Sequence, residues 1–196
     1  MDLDAYDEFV SCTNSGLKAN AREAVLRFVN SFSCIPEREE WVRSFLNEKA
    51  QVQGNGAIRH EIYAYIVFPV LKAGFDQDDP WALMWLAKTR NNFSSVKTLS
   101  DQLKGVTPLE LLLRAFKIEP EMPELKAKLL AHLVSGFEYA GHEWPSGLLI
   151  APGLAGVNEE QELVELAMSL DVSGDNTSGL RDYQGKLDEQ LSRLKR

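Results

Sequence analysis

Histidine is scarce in this chain, and its placement is informative. There are three, and two of them stand directly before a glutamate, as His60-Glu61 and His142-Glu143. Imidazole and carboxylate together form the donor set of Zn²⁺ and Fe²⁺ sites. The same pair moves protons near neutral pH. The spacing gives less support. An H-E-x-x-H helix needs a histidine at position 64, which is Ala64. Di-iron bundles use Glu-x-x-His, whose ligands share one helical face. Glu138 and His142 are four apart and also share a face, with Gly141 weakening the helix between them. A metal centre would therefore draw on His60, Glu61, Glu138 and His142, and would need two distant segments to converge. The competing reading of Glu138 and His142 is an i,i+4 surface pair worth about 0.3–0.5 kcal/mol.

The most unusual local stretch is His142-Glu143-Trp144-Pro145-Ser146-Gly147. A charged pair, an aromatic and a proline turn at a helix end suit the lip of a pocket. His142, Glu143 and Trp144 are its candidate binding residues. The alternative is a helix stop with Trp144 plugging the core. Other templates fail. The chain has no G-x-x-x-x-G-K-[ST], no G-x-G-x-x-G after a strand, no G-x-S-x-G and no C-x-x-C. Asp76, Asp78 and Asp79 begin like a calcium loop, but its sixth position is Trp81 rather than glycine. They read better as a helix cap. Cys12 and Cys34 sit in segments of helical pattern and are expected as free thiols. No cofactor is implied.

The elements that must position these residues all carry helical periodicity. Ala24, Val25, Phe28, Val29 and Phe32 mark one stripe, and Trp41, Val42, Phe45 and Leu46 another. Pro36 opens the second of these helices. Gln53-Gly54-Asn55-Gly56 is a turn. The segment from Ile58 to Phe75 is the most apolar. Its β-branched and aromatic run could be a buried strand, but it is too long for one, so a buried helix kinked at Pro69 is expected. Asp79-Pro80 caps the helix bearing Trp81 and Trp85. Thr107 and Glu110 form a capping box. Leu125, Leu129, Leu133 and Phe137 line a long helix, and Leu163, Val164, Ala167 and Leu170 the next. Pro36, Pro80 and Pro120 precede large apolar residues and lie roughly 40–45 apart, the range of two-helix solenoid repeats.

The fold class expected is all-α: a compact bundle of about 8–10 helices, with room for irregular solenoid-like pairs. Ser173–Gly179 is small and polar and reads as a flexible linker. Residues 1–172 then form one helical domain and 180–196 a C-terminal amphipathic helix. Its stripe of Leu180, Tyr183, Leu187, Leu191 and Leu194 could pack back on the body or join two copies as a homodimer.

Composition narrows the function classes. The 196 residues are 44% hydrophobic and 26% charged, ordinary for a globular domain. Twenty-one basic residues face 29 acidic ones, a net charge of −8. No basic run offers a phosphate-binding surface, so nucleic acid is not an expected partner. The start of the chain has neither the basic nor the apolar part of a signal peptide, and no apolar run reaches the roughly 20 residues of a membrane span. A cytoplasmic location is expected. Two functions fit. One is a non-catalytic protein-interaction module, such as an adaptor, inhibitor or immunity-type protein, that meets a basic partner through acidic residues. Glu37, Glu39, Glu40, Asp76, Asp78, Asp79, Glu159, Glu160 and Glu162 are the candidate surface acids. The other is a small metal- or acid/base-dependent enzyme built on the His-Glu pairs.

Overall fold

A computed structural model describes residues 1–52, 58–94, 96–144, 148–150 and 153–195. Every regular element among them is a helix, in the order α1 (Leu3–Asn14), α2 (Lys18–Asn30), α3 (Ile35–Val52), α4 (His60–Ile62), a π-helical turn (Tyr63–Val67), α5 (Phe68–Asp76), α6 (Pro80–Lys88), α7 (Arg90–Phe93), α8 (Lys97–Ser100), a 3₁₀ turn (Asp101–Leu103), α9 (Pro108–Ile118), α10 (Pro123–His142), α11 (Leu154–Leu170) and α12 (Thr177–Leu194). The protein is therefore all-α, and Ile58–Phe75 contributes helix rather than strand. None of the described helices is long and apolar enough to cross a membrane. The turn expected at Gln53–Gly56 lies outside the described residues. The chain forms two compact units, Met1–Leu111 and Leu112–Arg196.

The first unit starts as a hairpin of α1 on α2, closed by an aromatic cluster. The Phe28 ring lies 5.1 Å from those of Tyr6, Phe32 and Trp41, and Trp41 stacks on Phe45 at 4.7 Å. Such ring pairs add about 0.5–1.5 kcal/mol each beyond their buried area. They bind α1, α2 and α3 together. The rest of this core comes from the apolar middle of the sequence. Ile62, Tyr63, Ile66, Val67, Phe68, Leu71, Leu83, Met84 and Leu86 are all buried. Tyr63 brings a hydroxyl into this core, and Thr89 meets it at 2.9 Å. Thr89 also donates to the Trp85 carbonyl at 2.7 Å. The pair satisfies both hydroxyls where an unpaired one would cost about 1–3 kcal/mol. Burial pushes the Tyr63 phenol above its usual range.

Around Pro69 the helix changes its hydrogen bonding. A proline ring collides with the carbonyl four residues back and offers no N–H to it. The chain answers with the π turn just before the proline, in which the Phe68 N–H donates to the Tyr63 carbonyl five residues back. Pro69 then occupies the first turn of α5, where its missing donor is not needed. The helix runs on through the obstacle with one extra residue in its register.

Caps fall where side chains predict. Asp79 accepts from the Trp81 N–H at 3.0 Å and opens α6. Thr107 and Glu110 complete a reciprocal box, with the Thr107 N–H on Glu110 at 2.7 Å and the Glu110 N–H on Thr107 at 3.2 Å. Those bonds hold the Glu110 carboxyl below its usual range. Of the three repeat-spaced prolines, Pro36 and Pro80 lie in first helical turns. Pro120 sits in a turn ahead of α10, which opens at Pro123. In the last turn of α5 (Phe68–Asp76) stands Gly74, whose carbonyl accepts from the Gln77 and Asp79 N–H groups. Its lack of a side chain serves packing: a Cβ there would lie 2.4 Å from the Ala82 Cβ of α6.

The second unit joins α10, α11 and α12. Leu125, Leu129, Leu133, Phe137 and Ala140 form the buried face of α10. Val157, Leu163, Val164 and Ala167 face inward from α11. Leu180, Tyr183, Leu187 and Leu191 do so from α12, which packs on both α11 and α10. Asp171 organises the connection between α11 and α12. Its carboxylate accepts from the Asn176 N–H, the Asn176 amide and the Thr177 hydroxyl at 3.0–3.1 Å. The Ser173–Gly179 segment, read as a linker, is thereby drawn into a hydrogen-bonded turn at the start of α12.

Replacing Gly74 by alanine should force α5 and α6 apart and lower the unfolding free energy by about 1–3 kcal/mol. Urea titration should show the loss, and adding Ala82→Gly should recover part of it.

Candidate functional site

The second unit contains a cavity of about 350 Å³ between α10 and α12. Its floor is apolar, made by Val134, Phe137 and Leu180. Around it stand Glu138, Asp175 and Asp182, with His142 and Lys186 beside them. The volume is at the lower end of that of small-molecule pockets, roughly 300–1,000 Å³. The spacing of α10 explains two of these residues. Glu138 and His142 are one turn apart, so both project from the same face beside Phe137. Leu180 and Tyr183 bring the opposing wall from α12.

Tyr183 is the pivot of this wall. Its ring stacks on Phe137 at 5.0 Å, and Trp144 stands edge-on to it at 6.0 Å. Its hydroxyl donates to Glu160, a carboxylate that is wholly buried on the inner face of α11. Glu160 also accepts from the Leu149 N–H at 2.9 Å and from the Ile150 backbone. Burial raises the Glu160 carboxyl, and the three hydrogen bonds oppose that rise. Burial and the adjacent carboxylate push the Tyr183 phenol far up. Leu149 in turn lies against Gly136 of α10, where a Cβ would come within 3.0 Å of its methyl group. One carboxylate thus fixes Tyr183 and pins the 148–150 segment.

Glu160 was expected among the surface acids, and the structure corrects this. The signal was present in the sequence. Val157, Glu160 and Val164 recur at helical spacing, which puts position 160 on the buried stripe. A carboxylate there must be hydrogen-bonded, because an unpaired buried charge is too costly. Glu37, Glu39 and Asp79 are half-buried, and each is engaged. Glu37 accepts from the Ser33 N–H and hydroxyl and from the terminal amine, which together hold it down at about 2. Glu39 and Asp79 both meet Arg43. Glu40, Asp76, Asp78, Glu159 and Glu162 are exposed as expected.

The four residues of the metal reading belong to two units. Glu138 and His142 line the cavity, whereas His60 and Glu61 belong to the first unit. Among the described residues no group of three or more His, Cys, Asp or Glu is gathered as a metal site would require. Of the candidate lip, His142 lines the cavity, Glu143 is exposed at the end of α10, and Trp144 is half-buried against Tyr183. Pro145–Gly147 lies outside the described residues. Cys12 and Cys34 are free thiols.

The chain matches no family model, no curated protein and no solved structure. The site must therefore be read from its own chemistry. Sequence reasoning missed Asp175, Asp182 and Lys186, which reach the cavity from the turn before α12 and from α12 itself. Nothing in their local sequence marks them, since their role depends on how α12 docks. Lys186 donates to the Gly141 carbonyl at 3.2 Å, near the negative end of α10. Gly141 makes room for this, because a Cβ would lie 3.3 Å from the lysine nitrogen.

Tyr183→Phe should cost about 1–3 kcal/mol by leaving buried Glu160 one donor short. The pH dependence has a defined sign. A carboxyl raised above its unfolded value favours the folded state at low pH, and that contribution is lost as pH rises through its folded pKa. Losing the tyrosine hydroxyl raises Glu160 further. The gap between mutant and wild type should therefore widen from pH 4.5 toward neutrality in thermal melts, and a gap that narrows would contradict this account.

Proposed function

We propose that the protein is a non-catalytic helical interaction module, and that the acidic cavity between α10 and α12 receives a lysine or arginine side chain from a basic partner. The observation that carries this reading is the cavity's composition. Its apolar floor of Val134, Phe137 and Leu180 suits an aliphatic stem. Glu138 and Asp182 stand at its edge, exposed, with no ion pair within the described residues. A long cationic side chain meets both demands at once. Trp144, half-buried and held edge-on to Tyr183, supplies a rigid aromatic contact of the kind common at protein interfaces. The overall charge of −8 supports the same partner chemistry by steering a basic protein toward the chain. An adaptor, inhibitor or immunity-type role needs no more than this surface, acting in the cytoplasm.

The alternative, a small acid/base- or metal-dependent enzyme, is favoured by one observation: Glu138 and His142 face the same cavity. Among the described residues no group of three or more His, Cys, Asp or Glu completes a metal site around them. A homodimer through α12 would have to use a face other than the Leu180–Leu191 stripe, because that stripe is buried within its own unit.

The deciding experiment is capture from the native host's cytosol at low ionic strength. Wild-type protein should retain a basic protein that elolutes below about 0.5 M salt, since screening shortens the reach of exposed charges. The Glu138→Gln/Asp182→Asn double variant should retain at least about fivefold less. Retention of an acidic partner, or equal retention by the double variant, would contradict the proposal. Stoichiometric metal in the purified protein, lost in His142→Ala, would favour the alternative.

A further inference from the structure

The first unit carries a second concave site, and its chemistry is unlike that of the acidic cavity. A groove of about 300 Å³ opens between α3, α5 and α6. Its walls are largely apolar. Pro69, Val70 and Ala73 come from α5, Trp81 from α6, and Ile35 stands at the rim with 78% of its surface exposed. An exposed isoleucine beside a half-buried tryptophan is apolar surface that folding leaves unused.

The polar groups of the groove are unequally engaged. Asp79 accepts from the Trp81 N–H with one oxygen and from Arg43 with the other, at 3.0 and 2.7 Å. Glu39 takes Arg43 through two nitrogens, at 3.1 and 2.9 Å. The Arg43 guanidinium also lies 4.2 Å from the Trp81 ring centre, so it serves as a fixed part of the wall. Both carboxylates of the groove thus converge on one arginine. Arg38 is left with its side chain near the Phe32 ring, 5.4 Å from the centroid, and with no carboxylate partner among the described residues. Its five N–H donors form a planar fork suited to a carboxylate. The groove's formal charges balance, so selection must come from this local imbalance: donors in excess at Arg38, a neutral amide at Gln77, the Glu39–Arg43–Asp79 group already paired, and apolar surface on the α5 side. The walls are rigid as well, because the contact of Gly74 with Ala82 sets the spacing of α5 and α6.

We propose that this groove binds a small amphipathic carboxylate, with its aryl or branched-alkyl part against Trp81 and Val70 and its carboxylate on Arg38. The inference is independent of the acidic cavity and of its basic partner. The ligand class follows from the two requirements together. A purely apolar ligand leaves the Arg38 fork without an acceptor. An inorganic anion leaves the apolar walls wet.

The full chain should be titrated with 3-phenylpropionate, its neutral amide and the corresponding 3-phenylpropylamine. The readout is the Trp81 indole N–H resonance, assigned with Trp81→Phe. The carboxylate should bind with a Kd of about 1 mM or tighter, as expected for a ligand of this size. It should bind about tenfold tighter than the amide, with the amine weakest. Arg38→Gln should bind carboxylate and amide alike, with amide affinity near that of the wild type. Ala73→Phe, a change at an exposed position that fills the groove, should abolish both. Glu138→Gln/Asp182→Asn should leave the titration unchanged. Equal binding of carboxylate and amide, a preference that survives Arg38→Gln, binding that survives Ala73→Phe, or no response at Trp81 would each overturn the proposal.

Discussion

The second unit depends on one buried carboxylate. Glu160 lies among Val157, Val164 and Ala167, where an apolar side chain would cost nothing in desolvation. What it provides instead is connection. It accepts from a phenol on α12 and from backbone donors in the 148–150 segment, so three stretches of chain meet at two oxygens. Apolar packing could hold α11 against α12 in several registers, because leucine stripes slide at small cost. A hydrogen bond from Tyr183 to Glu160 is satisfied in one register alone. The cavity beside Phe137 inherits its shape from that choice, since Tyr183 is one of its walls.

How legible was this in the sequence? Local signals were reliable where the physics is local. The caps at Asp79 and Thr107, the inward faces of α10 and α12 and the all-α class rest on contacts within a few residues. The failures have a common origin. Glu160 was assigned to the surface because it is acidic, although its position in the 157–164 stripe pointed inward. Asp182 and Lys186 were passed over because their importance comes from the docking of α12 on α10. The proline at position 69 marks an irregular helix, and the wider turn upstream that accommodates it is not written in the local sequence. Gly141 reads in sequence as a helix weakener; it and Gly74 are close-approach positions, a role visible only once Lys186 and Ala82 are in place.

The two concave sites illustrate how charge gains meaning from pairing. Counting residues makes this an acidic protein, at a net −8. Counting partners gives a different picture. In the groove of the first unit, Glu39 and Asp79 are paired with Arg43, and the unmet capacity is that of the Arg38 cation. In the second, Lys186 is spent on a backbone carbonyl, and the unmet capacity is that of anions. The same chain thus presents opposite demands at its two concave sites.

The π turn at Tyr63–Val67 has a consequence for helical phase. One residue beyond the α-helical count rotates everything downstream by about 100° around the axis. Ile58 and Ile62 before it, and Phe68 and Leu71 after it, all reach the core despite this offset. The sequence has absorbed the rotation, so its apolar stripe follows a shifted phase from Phe68 onward. The surface of α5 that carries Val70 and Ala73 faces the groove because of that shift. A one-residue deletion within the turn would restore a regular helix, yet it would swing this surface a quarter-turn away and expose part of the core. The segment is therefore intolerant to length change for reasons of angle rather than of composition.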